Sequence, residues 1–244
     1  MLILNTGVPR SGTVLVNAMI RAFLRQQGIV PGQANPHGNQ LSQLCNALLR
    51  SGTYRHKPIL IHTHSWDRDT AGLLAGNPHV ATFANYRDPR DVCVSIIKLH
   101  ELAFETAMDA VTLYFQEFEA TVRDTNAMVI PYELLVSGKQ GFAFQIARHI
   151  GFWPTFAQID EVCEETSVER HRQVMDDVNS GAAKNVVERQ NRHRTLREDP
   201  RTLINDRHIQ SGATGRWRAE LTPDQQETAT EKFRPLLERY GYDV

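Results

Sequence analysis

A glycine-bounded loop near the start of the chain has the residue types of an anion-binding site. It runs from Gly7 to Thr13 as Gly-Val-Pro-Arg-Ser-Gly-Thr, between an apolar segment and an amphipathic one. Glycine lets a backbone approach a ligand closely, and the amides at the start of a helix point at an anion that the helix dipole stabilises. Arg10 adds a permanent charge, and Ser11 and Thr13 add hydroxyl donors. The loop is predicted to bind a phosphate group; the alternative is a tight turn that binds nothing.

The glycine spacing of this loop is that of the phosphate loop of ATP-binding proteins. Four residues separate Gly7 from Gly12, but Thr13 stands where such a loop has its lysine. Without that lysine and the metal-binding hydroxyl that follows it, ATP chemistry is not favoured. A P-loop-type nucleotide or small-molecule kinase is kept as an alternative function, and it would depend on Mg²⁺.

A second segment with anion-binding residues follows a predicted strand. It runs from Arg87 to Ser95 as Arg-Asp-Pro-Arg-Asp-Val-Cys-Val-Ser. Arg87 leaves the end of the strand and Ser95 lies about two turns into the next helix, so both side chains are expected to reach one phosphate group. A plain helix N-terminus explains Pro89 and Asp91 in the first turn, but it requires neither Arg87 nor Ser95.

Two histidines end another predicted strand, in the sequence His-Thr-His at residues 62–64. Side chains alternate along a strand, so His62 and His64 are expected to share one face. Two imidazoles could bind zinc together, but the sequence offers no apparent third ligand. We predict no metal site.

The elements that position these residues alternate between strands and helices. Continuous apolar runs, which suit parallel strands covered on both faces, predict strands at residues 2–6, 58–61, 80–86 and 127–130. Apolar residues at helical spacing predict helices at residues 15–23 and 104–122, and another helix, capped at Gly151, is predicted at residues 140–151. A capping box at Thr222, with proline at the first helical position, starts the last helix. The 244 residues are predicted to form a single α/β domain, a three-layer sandwich around a central, mostly parallel sheet.

Residues 176–218 differ from the rest of the chain because they are polar and almost without apolar periodicity. From Lys184 to Arg218 there are nine Lys or Arg against four Asp or Glu, a net charge of +5. A long segment without regular structure is typically functional or disordered. We predict a mobile basic loop, or a lid whose charge favours anionic ligands.

Composition narrows the class of protein and its partners. The 27 Lys and Arg are balanced by 28 Asp and Glu, which argues against a general nucleic-acid binder. The three cysteines form neither a metal-binding spacing nor a disulfide framework. No apolar run is long enough to span a membrane. The first predicted strand begins at Leu2, which leaves no room for a signal peptide, so a cytoplasmic enzyme is expected.

Both anion-binding segments resemble those of one enzyme family. The run from Pro9 to Thr13 resembles the Pro-Lys-Ser-Gly-Thr loop with which sulfotransferases hold the phosphosulfate end of 3′-phosphoadenosine 5′-phosphosulfate (PAPS). The run from Arg87 to Ser95 is similar to the family's 3′-phosphate site, Arg-x-Pro-x-Asp with a serine eight positions after the arginine. The resemblance implies a P-loop NTPase-like fold and a PAPS-dependent sulfotransferase that releases PAP, the desulfated product.

Three further matches follow in the family's order. His64 falls where cytosolic sulfotransferases have their catalytic histidine, and Tyr132 lies in a Tyr-Glu segment whose tyrosine contacts the adenine portion. Gly-Ala-Thr-Gly-Arg-Trp at residues 212–217 resembles the family's C-terminal Gly-x-x-Gly-x-Trp sequence. The resemblance therefore implies catalytic roles for His64 and Arg10. It implies cofactor contacts for Pro9, Arg10, Ser11, Gly12, Thr13, Val14, Arg87, Ser95, Tyr132, Gly212, Gly215, Arg216 and Trp217.

The chain also departs from the family pattern at four places. Arg10 replaces the loop lysine, and His62 replaces the lysine usual two residues before the catalytic histidine. Leu15 stands where an adenine-stacking tryptophan is common. The Arg-Lys pair before the C-terminal glycine is Gln-Ser here, which leaves one 3′-phosphate contact to be replaced by Arg207, His208 or Arg216.

The resemblance predicts transfer of a sulfuryl group from PAPS to a hydroxyl or amine, without a metal. His64 would act as general base, because the ordinary pKa of histidine is near working pH. If His64 is structural, Asp67 or Glu133 could supply the base. The acceptor is expected to be a small molecule, lipid or carbohydrate bound by the loops at 31–57 and 176–210. A non-catalytic nucleotide-binding relative is the other alternative, and the sequence gives no oligomeric state.

Overall fold

The computed structural model describes residues 1–38, 40–182, 186–191, 194–198 and 212–244. The chain divides into two compact units. The first contains Met1–Thr13, Val30–Gly138 and Ala213–Val244, and the second contains Val14–Ile29 and Lys139–Gly212. Most of the predicted site residues belong to the first unit.

A five-stranded parallel sheet forms the centre of the first unit. Its strands in chain order are β1 (Leu2–Gly7), β2 (Gly32–Ala34), β3 (Ile59–His62), β4 (Val80–Tyr86) and β5 (Met128–Pro131). In space they follow the order β2-β3-β1-β4-β5, so β1 is central and pairs with β3 and β4. Every residue of β1 is buried, including the polar residues Asn5 and Thr6 that follow the apolar run Leu2–Leu4.

Helices flank the sheet, and the predicted α/β class is confirmed. The helices in chain order are α1 (Thr13–Gln26), α2 (Gln40–Ser51), α3 (Arg68–Leu74), α4 (Pro89–His100), α5 (Phe104–Asp124), α6 (Tyr132–Ser137), α7 (Lys139–His149), α8 (Phe156–Glu165), α9 (Val168–Ser180), α10 (Trp217–Glu220) and α11 (Pro223–Tyr240). Helix α1 starts at the end of the first unit and continues in the second. Within the described part of the chain, none of these helices is long and apolar enough to cross a membrane.

Two hydrophobic clusters hold the helices of the first unit on the sheet. One joins β4 to α4, α5, α10 and α11, and its aromatic members include Tyr86, Phe115 and Phe118. The other joins β1 and β3 to α2 and α3. The predicted apolar stripe of α5 is confirmed, because its four central members are buried: Met108, Val111, Phe115 and Phe118. The clusters therefore fix the helices that follow the carboxyl ends of β3 and β4.

Local signals explain where the helices begin. Asp88 caps α4 by accepting a hydrogen bond from the Arg90 amide at 2.9 Å. The predicted capping box of α11 is confirmed, with the Gln225 amide 3.3 Å from Thr222 Oγ1. Strand β2, in contrast, lies in a segment predicted to be a loop. It has only three residues and exists because it pairs with β3. The Gly32 amide donates to the carbonyl of Pro58, the residue before β3, at 2.8 Å.

The second unit contains α7, α8, α9 and most of α1, together with an antiparallel hairpin of β6 (Val187–Asn191) and β7 (Arg194–Glu198). The segment predicted to be a basic loop or lid therefore has regular structure at residues 176–180, 187–191, 194–198 and 217–218. Helix α9 runs to Ser180 because Val174, Met175 and Val178 form a buried stripe. The remainder of the predicted lid, at residues 183–185, 192–193 and 199–211, lies outside the described residues, and the lid stays a prediction.

Candidate functional site

The predicted site residues of the first unit follow the carboxyl ends of the parallel strands. The glycine-bounded loop follows β1, His64 follows β3, Arg87 follows β4 and Tyr132 follows β5. Carboxyl ends of parallel strands meet at one edge of a sheet, which is where open α/β sheets bind their ligands. The fold thus brings together residues that are far apart in the sequence.

The glycine-bounded loop is folded tightly onto the end of β4. Gly7 has φ 128°, and a Cβ atom there would lie 2.3 Å from the backbone oxygen of Asn85. The Val8 amide donates to that same oxygen at 2.9 Å. The hydroxyl of Ser11 donates to the Val8 carbonyl and closes the turn. Only glycine at position 7 permits this close approach of the loop to β4.

The start of α1 is fixed by a second glycine and an aromatic ring. Gly12 has φ 86°, and a Cβ atom would lie 2.8 Å from Cδ2 of Tyr132. The Tyr132 ring also stacks with the guanidinium of Arg87, whose Cζ is 4.5 Å from the ring centroid. The Asn5 Nδ2 atom, in β1, donates to the Thr13 carbonyl at 2.7 Å. Tyr132 therefore joins the loop to Arg87, and the predicted contact of its ring with adenine stays a prediction.

The two predicted anion-binding segments meet through Arg10 and Ser95. Arg10 Nε donates to Ser95 Oγ at 2.8 Å, and Ser95 is buried in the second turn of α4. Arg10 itself adopts φ 67°, in the left-handed region that residues other than glycine seldom occupy. Burial lowers the pKa of Arg10, and the charges of Arg87 and Arg216 lower it further, while Tyr132 raises it. The guanidinium groups of Arg87 and Arg216 thus both lie close enough to Arg10 to repel its charge.

Asp91 organises the segment that carries the third of these arginines. Its carboxylate accepts from Arg87 Nη2 at 2.9 Å, from the Gly215 amide at 2.8 Å and from the Trp217 amide at 3.0 Å. Arg87 also donates to the Ala213 carbonyl at 2.6 Å. Sequence reasoning assigned Asp91 only to the first turn of a helix. The structure shows that it fastens the C-terminal glycine-rich segment to α4, beside Arg87.

Of the three residues predicted to replace a 3′-phosphate contact, Arg216 is the one within the described part of the chain. Its guanidinium is held by Glu220 at 2.8 Å, and the second oxygen of Glu220 accepts from Lys98 at 2.7 Å. The alternatives Arg207 and His208 lie outside the described residues. Arg87 pairs with Asp91, Arg216 and Lys98 share Glu220, and the charge of Arg10 comes in addition to these pairs. The local excess of positive charge favours an anion.

Trp217 packs in the protein core. Its side chain is buried between Arg90 and Arg218, whose Cζ atoms lie 3.9 Å and 4.4 Å from its ring centroid. Arg90 is 2% exposed and binds both carboxylate oxygens of Asp88, at 3.1 Å and 2.9 Å. A cofactor contact of Trp217 stays a prediction. So do the contacts assigned to Val14 and Gly212, which belong to the second unit.

His64 has the tautomer of a general base. Its Nδ1 lies 2.9 Å from the Gly7 carbonyl oxygen, which can only accept, so Nδ1 carries the proton. Burial lowers the pKa of His64; the hydrogen bond to Gly7 raises it, and the charges of His37 and Arg10 lower it again. The ring is thus neutral near pH 7, with an unprotonated Nε2 that can take a proton.

The other groups considered for proton transfer or metal binding have different surroundings. The ring centroid of His62 lies 5.0 Å from that of His64, with the planes at 76°. Within the described ranges, no group of three or more His, Cys, Asp or Glu side chains could hold a metal ion, and a metal-free reaction stays a prediction.

Asp67 accepts from the Thr70 amide at 2.6 Å and caps α3. Glu133 accepts from the Asp88 amide at 3.1 Å and from the Tyr242 hydroxyl at 2.8 Å, so both carboxylates stabilise the fold.

Solved structures share this fold, although no protein-family model and no curated protein matches the sequence. The first is retinol dehydratase in complex with androsterone and inactive cofactor PAP, with a TM-score of 0.61 and 16% identity over 100% of this chain and 82% of that one. Mouse sulfotransferase SULT7A1 complexed with PAP has a TM-score of 0.61 and 14% identity over 97% and 84% of the two chains. Retinol dehydratase in a complex with retinol and PAP has a TM-score of 0.59 and 17% identity over 100% of this chain and 82% of that one. The predicted P-loop-like sulfotransferase fold is confirmed.

Proposed function

We propose that this protein is a PAPS-dependent sulfotransferase, which transfers a sulfuryl group to a hydroxyl or amine and releases PAP. The observation that carries the proposal is the convergence of Arg10, Arg87 and Arg216 beside the glycine-bounded loop. Matching proteins of the same fold were crystallised with PAP, a nucleotide with phosphate groups at two positions. A cluster of three arginines with two phosphate-binding segments suits such a ligand better than a single phosphate.

The residues divide into two groups around the nucleotide. Arg87, Ser95 and Arg216 would bind the 3′-phosphate, since Asp91 holds Arg87 and the 213–217 segment together. The amides of the loop from Pro9 to Thr13, with the hydroxyls of Ser11 and Thr13, would bind the 5′-phosphosulfate. Arg10 lies between these groups because its Nε is bonded to Ser95 while its backbone belongs to the loop. The Arg10 side chain would therefore touch both ends of the same ligand.

His64 and Arg10 would carry out the chemistry. His64 Nε2 takes the proton of the acceptor hydroxyl or amine while the acceptor atom bonds to sulfur and the bond from sulfur to the 5′-phosphate oxygen breaks. Arg10 and the loop amides stabilise the negative charge that develops on that oxygen. The Gly7 carbonyl keeps the proton on Nδ1, so the reactive nitrogen stays available. This division of roles needs only groups of the first unit.

The acceptor is proposed to be a small molecule, in keeping with the androsterone and retinol bound by matching structures. Lipid and carbohydrate hydroxyls belong to the same chemical class and are included in the proposal. A cytoplasmic location is a proposal from the sequence alone.

The experiment that tests the proposal compares two nucleotides and then asks for turnover. The protein is expected to bind PAP without added metal, and to bind ATP with Mg²⁺ much more weakly. Incubation with PAPS should then produce PAP. A His64→Gln variant should bind PAP like the wild type but produce PAP from PAPS at least about a hundredfold more slowly. Binding of ATP with Mg²⁺ in preference to PAP would support a kinase instead. Binding of PAP with no turnover of PAPS would support a non-catalytic relative.

A further inference from the structure

A second histidine, His37, is held opposite His64 by hydrogen bonds on both sides. Thr63 Oγ1 donates to the Pro36 carbonyl at 3.0 Å, and the Gly38 amide donates to Ser65 Oγ at 3.1 Å. The residues that flank His37 are thus bonded to the residues that flank His64. Two such cross-links leave the two histidines at the same position along the paired segments.

Both segments are fixed by local bonds as well. The His37 amide donates to Gln40 Oε1 at 3.1 Å, at the start of α2. The Ser65 amide donates to Thr63 Oγ1 at 3.1 Å, in the turn after β3. His37 is exposed to solvent, whereas Thr63 is buried and His64 is half-buried. One imidazole therefore faces water while its neighbour lies inside the site.

Three groups from three elements face His64. Burial is the largest cause of its lowered pKa. The hydrogen bond that His64 donates to the Gly7 carbonyl raises the pKa, and the charges of His37 and Arg10 lower it further. Arg10 comes from the β1–α1 loop and cannot accept a proton. His62 comes from β3 and presents its ring edge-on, with Nε2 buried. His37, from the segment before α2, is the described neighbour that combines a titratable group with exposure to water.

We propose that His37 relays the acceptor's proton from His64 to water in each catalytic cycle, an inference that rests on the proposed sulfotransferase function. After transfer, His64 carries protons on both nitrogens, and Nδ1 is occupied by its bond to Gly7. The Nε2–H bond then breaks as an N–H bond forms on neutral His37, directly or through one water. His37 finally releases that proton to solvent, and no electron or other reactant takes part.

The chemical need for a relay follows from the surroundings of His64. A half-buried imidazolium beside Arg10 is unstable, and the enzyme cannot begin a new cycle until the proton leaves. Because Nδ1 is tied to the loop, the proton must leave from Nε2, on the side of the acceptor. His37 is a relay and positioning residue, since it acts through His64 and not on the reacting atoms.

The first test measures the coupling between the two rings without any turnover. The titration of His64 is followed by NMR in the wild type and in a His37→Gln variant, with His56→Gln as the control at another exposed histidine. Because His37 contributes to the lowered pKa of His64, the His37→Gln variant should move the midpoint of His64 to higher pH, and the control should leave it unchanged. An unchanged midpoint in His37→Gln would show that the rings are not neighbours and would overturn the inference.

The second test measures release of PAP from PAPS with water as the acceptor, across pH and imidazole concentration. His37→Gln should slow the maximal rate roughly tenfold, with an unchanged affinity for PAP, and added imidazole should restore most of the loss. An unchanged rate, or a slow rate that imidazole does not restore, would reject the relay and leave His37 with a structural role. Failure of the wild type to bind PAP is a separate result, because it overturns the proposed function itself.

Discussion

Asp91 shows how much of the candidate site depends on single residues with several partners. One carboxylate accepts from the guanidinium of Arg87 and from the amides of Gly215 and Trp217. The sequence predicts Arg87 and Ser95, because their spacing places both near one anion. It does not predict the amide partners of Asp91, which lie 124 and 126 residues further along the chain. Roles that depend on long-range contacts are invisible in a local pattern.

Substitution of Asp91 tests this organising role. Asp91→Asn keeps the size of the side chain but places an amide donor among three donors, so we expect a loss of about 3 kcal/mol of stability. The affinity for PAP should fall with it. The matched control is Asp109→Asn, which removes an exposed carboxylate paired with Lys232 and should cost less than about 1 kcal/mol. Urea unfolding measures the stability of both variants, and an equal loss in the two would contradict the organising role of Asp91.

The pH dependence of turnover tests the state of His64. Burial lowers the pKa of His64 below its ordinary value of 6.5, so the reactive neutral form persists below that pH. The acid limb of kcat/KM for PAPS should therefore have its midpoint below 6.5, and His64→Gln should remove the limb. A midpoint above 6.5 would show that the imidazolium is stabilised in the site, in conflict with the position of Arg10.

At the scale of elements, the turn from β1 into α1 is the part best anticipated by sequence. Its glycines, its hydroxyls and its place between a strand and a helix were all predicted, as were four of the five central strands to within about one residue. The sequence does not predict why each glycine is needed. Gly7 is required by the Asn85 backbone and Gly12 by the Tyr132 ring, and neither neighbour is local. Strand β2 was missed for the same reason, because pairing with β3 creates it.

Two alanine substitutions separate backbone contact from backbone conformation. Gly7→Ala should lower the free energy of unfolding by about 3 kcal/mol or more, because the new Cβ would overlap the Asn85 backbone. Gly52→Ala is the matched control, since Gly52 also has a positive φ but nothing lies within 4 Å of the added atom. Its cost should be about 1–2 kcal/mol, from the conformation alone. Chemical denaturation measures both, and equal losses would mean that the tight approach of the loop to β4 is absent.

Helix α9 carries a buried histidine that should make stability depend on pH. Burial lowers the pKa of His171 to about 4, and Lys139 contributes to the shift. An unfolded chain titrates near 6.5, so between these values it binds more protons than the folded chain, and stability falls as pH falls. The loss between pH 7 and pH 5 should be about 2 kcal/mol.

A variant isolates this effect from the other titrating groups. His171→Leu should show a pH dependence of unfolding about 2 kcal/mol smaller than the wild type over the same range. His79→Gln, at an exposed histidine, should keep the wild-type dependence. Urea unfolding at the two pH values measures all three proteins. The same slope in His171→Leu as in the wild type would contradict the burial of this ring.

At the scale of the whole molecule, the alternation of apolar runs and amphipathic segments was enough to predict the α/β class. The strand order β2-β3-β1-β4-β5 could not be read from the pattern, because it depends on which strands pair. That order makes β1 central and puts the loops after β1, β3 and β4 beside one another. Arg10, His64 and Arg87 consequently lie at one edge of the sheet, although 77 residues separate the first from the last. The fold, and not any one motif, assembles the site.

The measurement that tests the central claim most directly is calorimetry with PAP and with 5′-AMP, which lacks the 3′-phosphate, in the absence of metal. Arg87→Ala should weaken PAP binding between about tenfold and a hundredfold and AMP binding much less, because Arg87 would contact only the 3′-phosphate of the nucleotide. Retained AMP binding also shows that the variant is folded, and Arg55→Ala serves as a control at an exposed arginine. No binding of PAP by the wild type, or equal losses for both nucleotides, would contradict the assignment of this edge of the sheet as a PAPS site.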